Sequence, residues 1–298
     1  MYPAPFRYHR PATLGSALTL LAELGAGARP LAGGQSLIPI LKMRMDEPSD
    51  LVDIGRLTEL THIRKDADRY HLGALATHAR IAASAAAAEI PALHDCAANI
   101  ADPQVRSLGT IGGSISIADP SSDWPTLLHL LDAQVVCRGL HGSRTIDIRD
   151  FITDSYSNSL ADGELVTEIQ IPVPPANSGG AYLGFKKAAP AYPAAAAGVQ
   201  LTLTAGNICQ TIRLALGAAG PVPVTSGDIE QSLVGEPLTE AKLQQAAAAL
   251  VDLSDPPTDA RGSAEFKRTM LHTLVVRAAR MALQRAQGDV VKGSHDYA

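Results

Sequence analysis

Between Thr13 and Leu24 the apolar residues Leu14, Ala17, Leu18, Leu21 and Ala22 keep the spacing of one helix face. Thr13 is placed to cap the start of that helix and Gly25 to end it. The run ARPLA (28–32) then reads as a short buried strand, a glycine pair follows, and SLIPILKMRM (36–45) predicts a brief helix broken at Pro39. DLVDIG (50–55) predicts a second strand, so about the first 56 residues form a small α/β lobe whose strands flank the glycine turn. THIRKDADRYHLGAL (61–75) reads as a hairpin with a polar tip, and the alanine-rich 78–99 as helical. The stretch IADPQVRSLGTIGGSISIADPSSDWP (100–125) has almost no regular period and is dense in Gly, Ser, Asp and Pro, which predicts a long functional loop. Ile111, Ile115 and Ile117 within it predict that the loop is packed.

Further along, TLLHLLDA (126–133) predicts a helix, AQVVCRG and SRTIDIRDF two strands joined at LHG, and ELVTEIQIPVP (164–174) a strand that stops at prolines. PPANSGG (174–180) is the best boundary candidate. Beyond it, strands at 181–187, 198–207 and 209–220 look antiparallel, and helices follow near 225–234, 239–252 and 263–286. In the last helix Phe266, Met270, Leu274, Ala278 and Met281 make one core stripe. The tail, 288–298, lacks periodicity and is expected to be mobile. The expected class is therefore α+β: a domain over 1–176, with lobes at about 1–56 and 57–176, then a second domain over 177–287.

Composition narrows the functional classes. Hydrophobic residues make up 46% and charged residues 18%, ordinary for a soluble globular chain. A net charge of −5 and a pI near 6.0, with no basic run, give no electrostatic case for nucleic acid or an anionic membrane. No apolar stretch approaches the roughly 20 residues of a membrane span. The start, MYPAPFRYHRPATLG, has no apolar core of a signal peptide, so a cytoplasmic protein is expected. Cys96, Cys137 and Cys209 are far apart and read as buried free thiols. A [2Fe–2S] cluster generally takes four cysteine ligands, so this chain cannot carry one alone. The nine histidines are dispersed with no HxH or HExxH, and no metal site is expected.

LGAGARP (24–30) contains a GxG, but Pro30 stands where a dinucleotide fingerprint needs its third glycine, and the stretch follows a helix rather than a strand. It is a helix stop and a turn. AGGQS (32–36) is different: paired glycines let consecutive backbone N–H groups converge on one anion. Ser36 adds a hydroxyl and opens the following helix. By itself the motif is also a tight turn with a helix cap. TIGGS (110–114) supplies a second donor set, the Thr110 hydroxyl with the backbone of Gly112, Gly113 and Ser114. Each glycine costs about 0.5–1 kcal/mol relative to alanine. Each hydrogen bond to a charged acceptor contributes about 1.5–3 kcal/mol, so two such cradles on one diphosphate outweigh the penalty.

AGGQSLIPILKMRM…LVDI together with TIGGSISIADPSSDWP resembles the FAD-binding medium subunit of molybdenum hydroxylases. The likeness is nearest to the separate-chain type of aerobic carbon monoxide dehydrogenase and bacterial N-heterocycle dehydrogenases; xanthine dehydrogenase carries a similar domain. The resemblance implies a two-lobed, vanillyl-alcohol-oxidase-like (PCMH-type) FAD-binding domain followed by a C-terminal antiparallel sheet with helices that covers the flavin. Ala32, Gly33, Gly34, Gln35 and Ser36 match its first pyrophosphate motif. Thr110, Ile111, Gly112, Gly113 and Ser114 match the second, with Gly109 beside it. Ala101 and Val105 fall where the family loop passes the cofactor, and Asp123 matches an acidic FAD contact. Lys187 matches a basic residue near the cofactor, and Tyr192 a tyrosine at the isoalloxazine ring. Gln35 stands where the carbon monoxide type has histidine, and Ala191 replaces an aspartate common before the aromatic. A helix cap is the other role open to Asp123, and lobe packing the other role open to Tyr192; Trp124 reads as core.

The implied function is electron transfer. The chain would hold one noncovalent FAD, accept electrons from a partner [2Fe–2S] small subunit and pass them to an external acceptor. Molybdopterin belongs to a large subunit, and the family assembly is a dimer of heterotrimers. No catalytic side chain is expected here. A self-contained flavin oxidase or reductase, and an assembly subunit that has lost FAD, are the alternatives.

Overall fold

A computed structural model describes residues 2–293. The first lobe contains β1 (Arg7–His9), α1 (Leu14–Leu24), β2 (Ala28–Leu31), α2 (Leu37–Lys42) and β3 (Asp50–Asp53), with β3 between β1 and β2 in a parallel sheet. A capping box starts α1: Thr13 Oγ1 accepts from the Ser16 N–H, and Ser16 Oγ accepts from the Thr13 N–H. Its stripe Leu14, Ala17, Leu18 and Leu21 is buried with Val52, Ile54 and Leu57. Strand β1 has no apolar run to announce it. It is fixed in register by Asp50, which accepts from Arg7 at 2.7 Å and lies 2.6 Å from His9 Nε2. Pro39 does not break α2. It sits in the first turn, where a missing N–H leaves no intrahelical bond unmade.

The middle of the chain contains β4 (Ile63–Lys65), β5 (Arg69–Gly73), α3 (His78–Ala82), α4 (Ala85–Glu89), α5 (Pro91–Asn99), α6 (Pro103–Leu108), α7 (Ile111–Ile117) and α8 (Asp123–Leu130). It continues through β6 (Gln134–Gly139), β7 (Gly142–Asp147), α9 (Ile148–Phe151), the short pair β8 (Ile152–Asp154) and β9 (Ser157–Asn158), and β10 (Leu165–Pro172). The sheet runs β4-β5-β10-β6-β7, antiparallel at each pairing. Region 78–99 is three helices because Thr77 and Ser84 each cap a new start and Pro91 opens the third.

Segment 100–125 corrects the sequence reading, because most of it is helical. Asp102 accepts from the Val105 N–H and Pro103 takes the first position of α6; Thr110 caps α7. Ile111 and Ile115, one helical turn apart, are fully buried, while Ile117 is half-buried. Two glycines and two serines within α7 lower its intrinsic helicity, and tertiary contacts to the end of β5 override that preference.

The last part contains β11 (Ser178–Phe185), β12 (Ala195–Leu203), β13 (Cys209–Gly217), α10 (Gly227–Leu233), α11 (Glu240–Asp252) and α12 (Ala264–Ala286). Its antiparallel sheet is sandwiched. Ala181, Leu183, Ala197, Leu214 and Leu216 pack with α11 and α12, whereas Tyr182, Ala196 and Ala215 join the core around α5 and α8. Arg285, near the end of α12, clamps Asp95 of α5 through a bidentate pair of 2.6 and 3.2 Å. The same guanidinium also donates to the carbonyls of Gly180 and Val291. Val291 belongs to the tail expected to be mobile; residues 294–298 of that tail lie outside the described residues. Cys96, Cys137 and Cys209 are all buried and free. No helix among the described residues is long and apolar enough to cross a membrane.

Candidate functional site

After β2 the chain turns through Ala32–Ser36, with Gly34 at φ +71, a left-handed conformation that favours glycine. Gly33 answers to a different constraint. A Cβ there would lie 2.0 Å from the carbonyl oxygen of Leu108, so only glycine lets this turn meet the end of α6. Gln35 Nε2 donates to the Gly33 carbonyl at 3.0 Å and braces the turn. The backbone N–H groups of Gly33, Gly34, Gln35 and Ser36 have no protein acceptor among the described residues. Ser36 does not cap α2 with its side chain, so its hydroxyl is also free of that duty.

The second motif is built differently from what the sequence predicted. The Ile111 N–H donates to Ala76 O at 3.1 Å and the Gly112 N–H to Ala74 O at 2.9 Å. The Gly113 N–H donates to Thr110 Oγ1 at 3.2 Å and the Ser114 N–H to Thr110 O at 3.0 Å. The backbone of Gly112, Gly113 and Ser114 therefore offers no idle donor, because α7 is pinned by its amides to the chain after β5. What remains on this side is hydroxyl hydrogen, from Thr110 and from the Ser114–Ser122 pair, whose oxygens are 2.8 Å apart. The two glycines divide the work. A Cβ on Gly112 would meet Ala74 Cβ at 2.5 Å; one on Gly113 would meet Thr110 Oγ1 at 2.9 Å and then only Ala32 Cβ, at 3.8 Å. Gly112 permits packing, and Gly113 keeps open the gap between the two turns.

That gap belongs to a cavity of about 510 Å³, within the roughly 300–1,000 Å³ typical of small-molecule and cofactor sites. Its wall includes Ala32, Gly33, Gly34, Gln35, Ser36, Ala101, Val105, Gly109, Thr110, Gly112, Gly113, Ser114, Asp123 and Tyr192. Ile111 and Lys187 are not brought to it. Ile111 is fully buried in the core, and Lys187 Nζ donates to the Ala260 carbonyl on the far side of its loop. Lys186 lines the cavity instead. Strand parity explains the exchange: alternate residues face opposite ways. Tyr182 and Gly184 face α8, and Lys186 continues that face.

Lys186 and Asp123 are both nearly buried, with Nζ 3.8 Å from Oδ2. Burial pushes the Asp123 carboxyl above the ordinary carboxylate range, opposed by the Lys186 ammonium and by the Tyr182 hydroxyl, which donates to Oδ1 at 3.1 Å. Asp123 is the first residue of α8 rather than its cap, which is Ser122. Tyr192, on the β11–β12 connection, is 44% exposed at the rim. Enclosure of its hydroxyl raises the phenol pKa, Asp119 adds to the effect, and Ser36 opposes it. Ala101 is held at φ +43, a sparsely populated conformation for alanine. Arg106 fixes it there by donating to the carbonyls of Ile100 and Ala101 at 2.9 and 2.8 Å.

Further parts of the wall escaped the sequence reading, among them Lys186, the stretch 160–166 and His78. Strand parity tells that Lys186 and Lys187 face opposite ways, but not which of the two meets the cavity. The stretch 160–166 carries no local signal. His78, the first residue of α3, is only 5% exposed yet lines the cavity. Its Nδ1 accepts from Trp124 Nε1 at 3.0 Å, and burial pushes its pKa down to about 4. Trp124 itself is fully buried, in keeping with a core role.

These residues fit a diphosphate-bearing dinucleotide. Four unpaired backbone donors face one side, Gly113 leaves room that a methyl would fill, and a buried ammonium and an aromatic stand farther along the wall. Comparison with known proteins agrees. Residues 4–174 match the FAD binding domain in molybdopterin dehydrogenase, and residues 180–282 the CO dehydrogenase flavoprotein C-terminal domain. The chain is 38% identical over 288 residues to the carbon monoxide dehydrogenase medium chain of Afipia carboxidovorans, covering 96% of this chain and all of that one. It is 35% identical to the 6-hydroxypseudooxynicotine dehydrogenase complex subunit alpha of Paenarthrobacter nicotinovorans, covering 96% and 97%. Among solved structures, carbon monoxide dehydrogenase from Hydrogenophaga pseudoflava superposes with a TM-score of 0.92 at 35% identity, covering 96% of this chain and 99% of that one. With both halves of its length matched in order and its two glycine turns facing one cavity, the chain belongs to the FAD-binding medium subunits of the molybdenum hydroxylases, an oxidoreductase family.

Proposed function

We propose that this chain is the electron-transfer subunit of a heterotrimeric molybdenum hydroxylase. It holds one FAD noncovalently, receives electrons from a partner [2Fe–2S] subunit and delivers them to an external acceptor. The molybdopterin, and with it substrate oxidation, sits on a large partner subunit, and the assembly is a dimer of heterotrimers in the cytoplasm. The observation that carries this reading is the cavity in which the four unpaired N–H groups of Gly33–Ser36 and the open face at Gly113 oppose each other.

Bound FAD supplies the redox chemistry, and the protein supplies position and electrostatics. The Gly33–Ser36 amides and the Thr110 hydroxyl hold the diphosphate, and Gly112 sets how closely α7 approaches. Asp123, Lys186 and Tyr192 face the flavin end. Tyr192 sits at the rim, where an acceptor arrives. The vanillyl-alcohol-oxidase-like, PCMH-type description suits the first two α+β lobes, up to residue 176. A second domain over 177–287 suits the change of sheet and core at β11.

The test is direct. Denaturing the purified protein should release free FAD, and flavin retained on the unfolded polypeptide would overturn noncovalent binding. Isolation from the native host should bring an iron–sulfur chain and a molybdopterin chain with it. An isolated chain that oxidises small reductants with full activity would favour a self-contained flavin enzyme, and a folded chain with no affinity for FAD would favour an assembly subunit.

A further inference from the structure

His78 is nine-tenths buried yet forms part of the cavity wall. An indole N–H only donates, so the 3.0 Å contact from Trp124 Nε1 makes His78 Nδ1 the acceptor. In the neutral ring the proton then sits on Nε2. Burial and the nearby Arg106 guanidinium keep the ring neutral. Nε2 has no protein acceptor among the described residues, and it is not one of the sealed unpaired atoms, which are Ser159 Oγ and Gln200 Oε1, so it reaches accessible space.

Gly109 supplies an independent observation. Its backbone, at φ −60 and ψ 137, suits any residue, so conformation does not demand glycine there. A Cβ at this position would lie 2.7 Å from His78 Nε2. The glycine keeps clear the space between Nε2 and the second glycine turn. The backbone locks the two segments together as well, because the His78 N–H donates to Gly109 O at 3.0 Å.

We propose that His78 contacts the cofactor directly: its Nε2–H, fixed in one tautomer by Trp124, donates to an oxygen of the diphosphate–ribityl chain beside the second glycine turn. This assignment rests on the FAD reading of the cavity. It makes Trp124 a positioning residue, acting through His78 from the core.

The experiment titrates flavin-stripped full chain, alone and in the complex it purifies with, with FAD, following flavin fluorescence. His78→Leu should weaken FAD about tenfold, the loss expected for one hydrogen bond to a partly charged acceptor. His78→Gln keeps an N–H near the Nε2 position and should stay within about threefold of wild type. Gly109→Ala keeps the imidazole but sets a methyl 2.7 Å from Nε2, so the ring or the turn must yield and the donor is blocked; it should also weaken FAD about tenfold, which keeps the assignment testable if His78→Leu folds poorly. Affinities for His78→Leu and Gly109→Ala within about twofold of wild type overturn the assignment. A Gln variant as weak as Leu overturns it too, because packing rather than donation would then be responsible. Failure of the wild-type chain to bind FAD in either form would instead overturn the FAD reading of the cavity.

Discussion

The clearest test of how the glycine turns work is a pair of single-methyl insertions one residue apart. In Gly112→Ala the new Cβ would lie 2.5 Å from Ala74 Cβ and 2.8 Å from Ala74 O. Carbon atoms pack at about 3.5–4.0 Å, so α7 must retreat by about 1 Å from the chain after β5. Overpacking of this kind costs about 1–3 kcal/mol. The 2.9 Å bond from the Gly112 N–H to Ala74 O is stretched at the same time, a loss of about 0.5–1.5 kcal/mol. Replacing glycine by alanine in a helix returns about 1 kcal/mol. The net is a destabilisation of about 1–3 kcal/mol in the flavin-free protein. In Gly113→Ala the methyl meets only the Thr110 hydroxyl at 2.9 Å and Ala32 Cβ at 3.8 Å. Flavin-free stability should therefore stay within about 1 kcal/mol of wild type. FAD affinity should fall at least about tenfold, as the methyl occupies the gap between the turns. Urea unfolding of flavin-free protein and FAD titration read the two quantities separately. Unchanged FAD affinity in Gly113→Ala would refute the placement of the cofactor between the turns, and unchanged stability in Gly112→Ala would refute the packing role.

Three other outcomes are expected. Because burial holds His78 near pKa 4 when its ordinary value is 6.5, the unfolded chain takes up a proton that the folded chain refuses. The contribution is intact above about pH 6.5, declines by about 1.4 kcal/mol per pH unit below it, and is gone below about pH 4, about 3 kcal/mol in all. Stability measured against pH should lose that slope in His78→Gln, and an identical profile would contradict it. Asp95→Ala strands the buried Arg285 guanidinium and should destabilise the protein by about 3–5 kcal/mol; calorimetry showing less than about 1 kcal/mol would mean the clamp between α5 and α12 is dispensable. Tyr192→Ala should leave FAD bound with about 0.5–1.5 kcal/mol less affinity. Stopped-flow absorbance should show an altered flavin phase and an untouched cluster-reduction phase in the assembled complex; an unaltered flavin phase would leave Tyr192 a packing residue.

Much of this was visible along the chain. The apolar stripe and Thr13 cap of α1, the hairpin at 61–75, the C-terminal helices and the paired glycines are local features. Periodicity and capping chemistry act within a few residues, so they can be read without knowing what lies across the core. The glycine pairs also announced that backbone would approach something closely in two places. They did not say what.

Tertiary structure decided that. Whether an amide is idle depends on which distant carbonyl lies in front of it. Ala74 and Ala76 take the Gly112 and Ile111 N–H groups, while no acceptor among the described residues takes those of Gly33–Ser36. The same carbonyls turn IGGSISI into a helix against its own propensity. Lys186 rather than Lys187 reaches the cavity because strand pairing sets which face of β11 meets α8. His78 becomes a wall residue because Trp124, 46 residues later, orients its ring. Sequence alone determined that two short motifs were built for close approach. Which donors survive that approach is a long-range property of the packed backbone, since each bond made within the fold removes a group from the site.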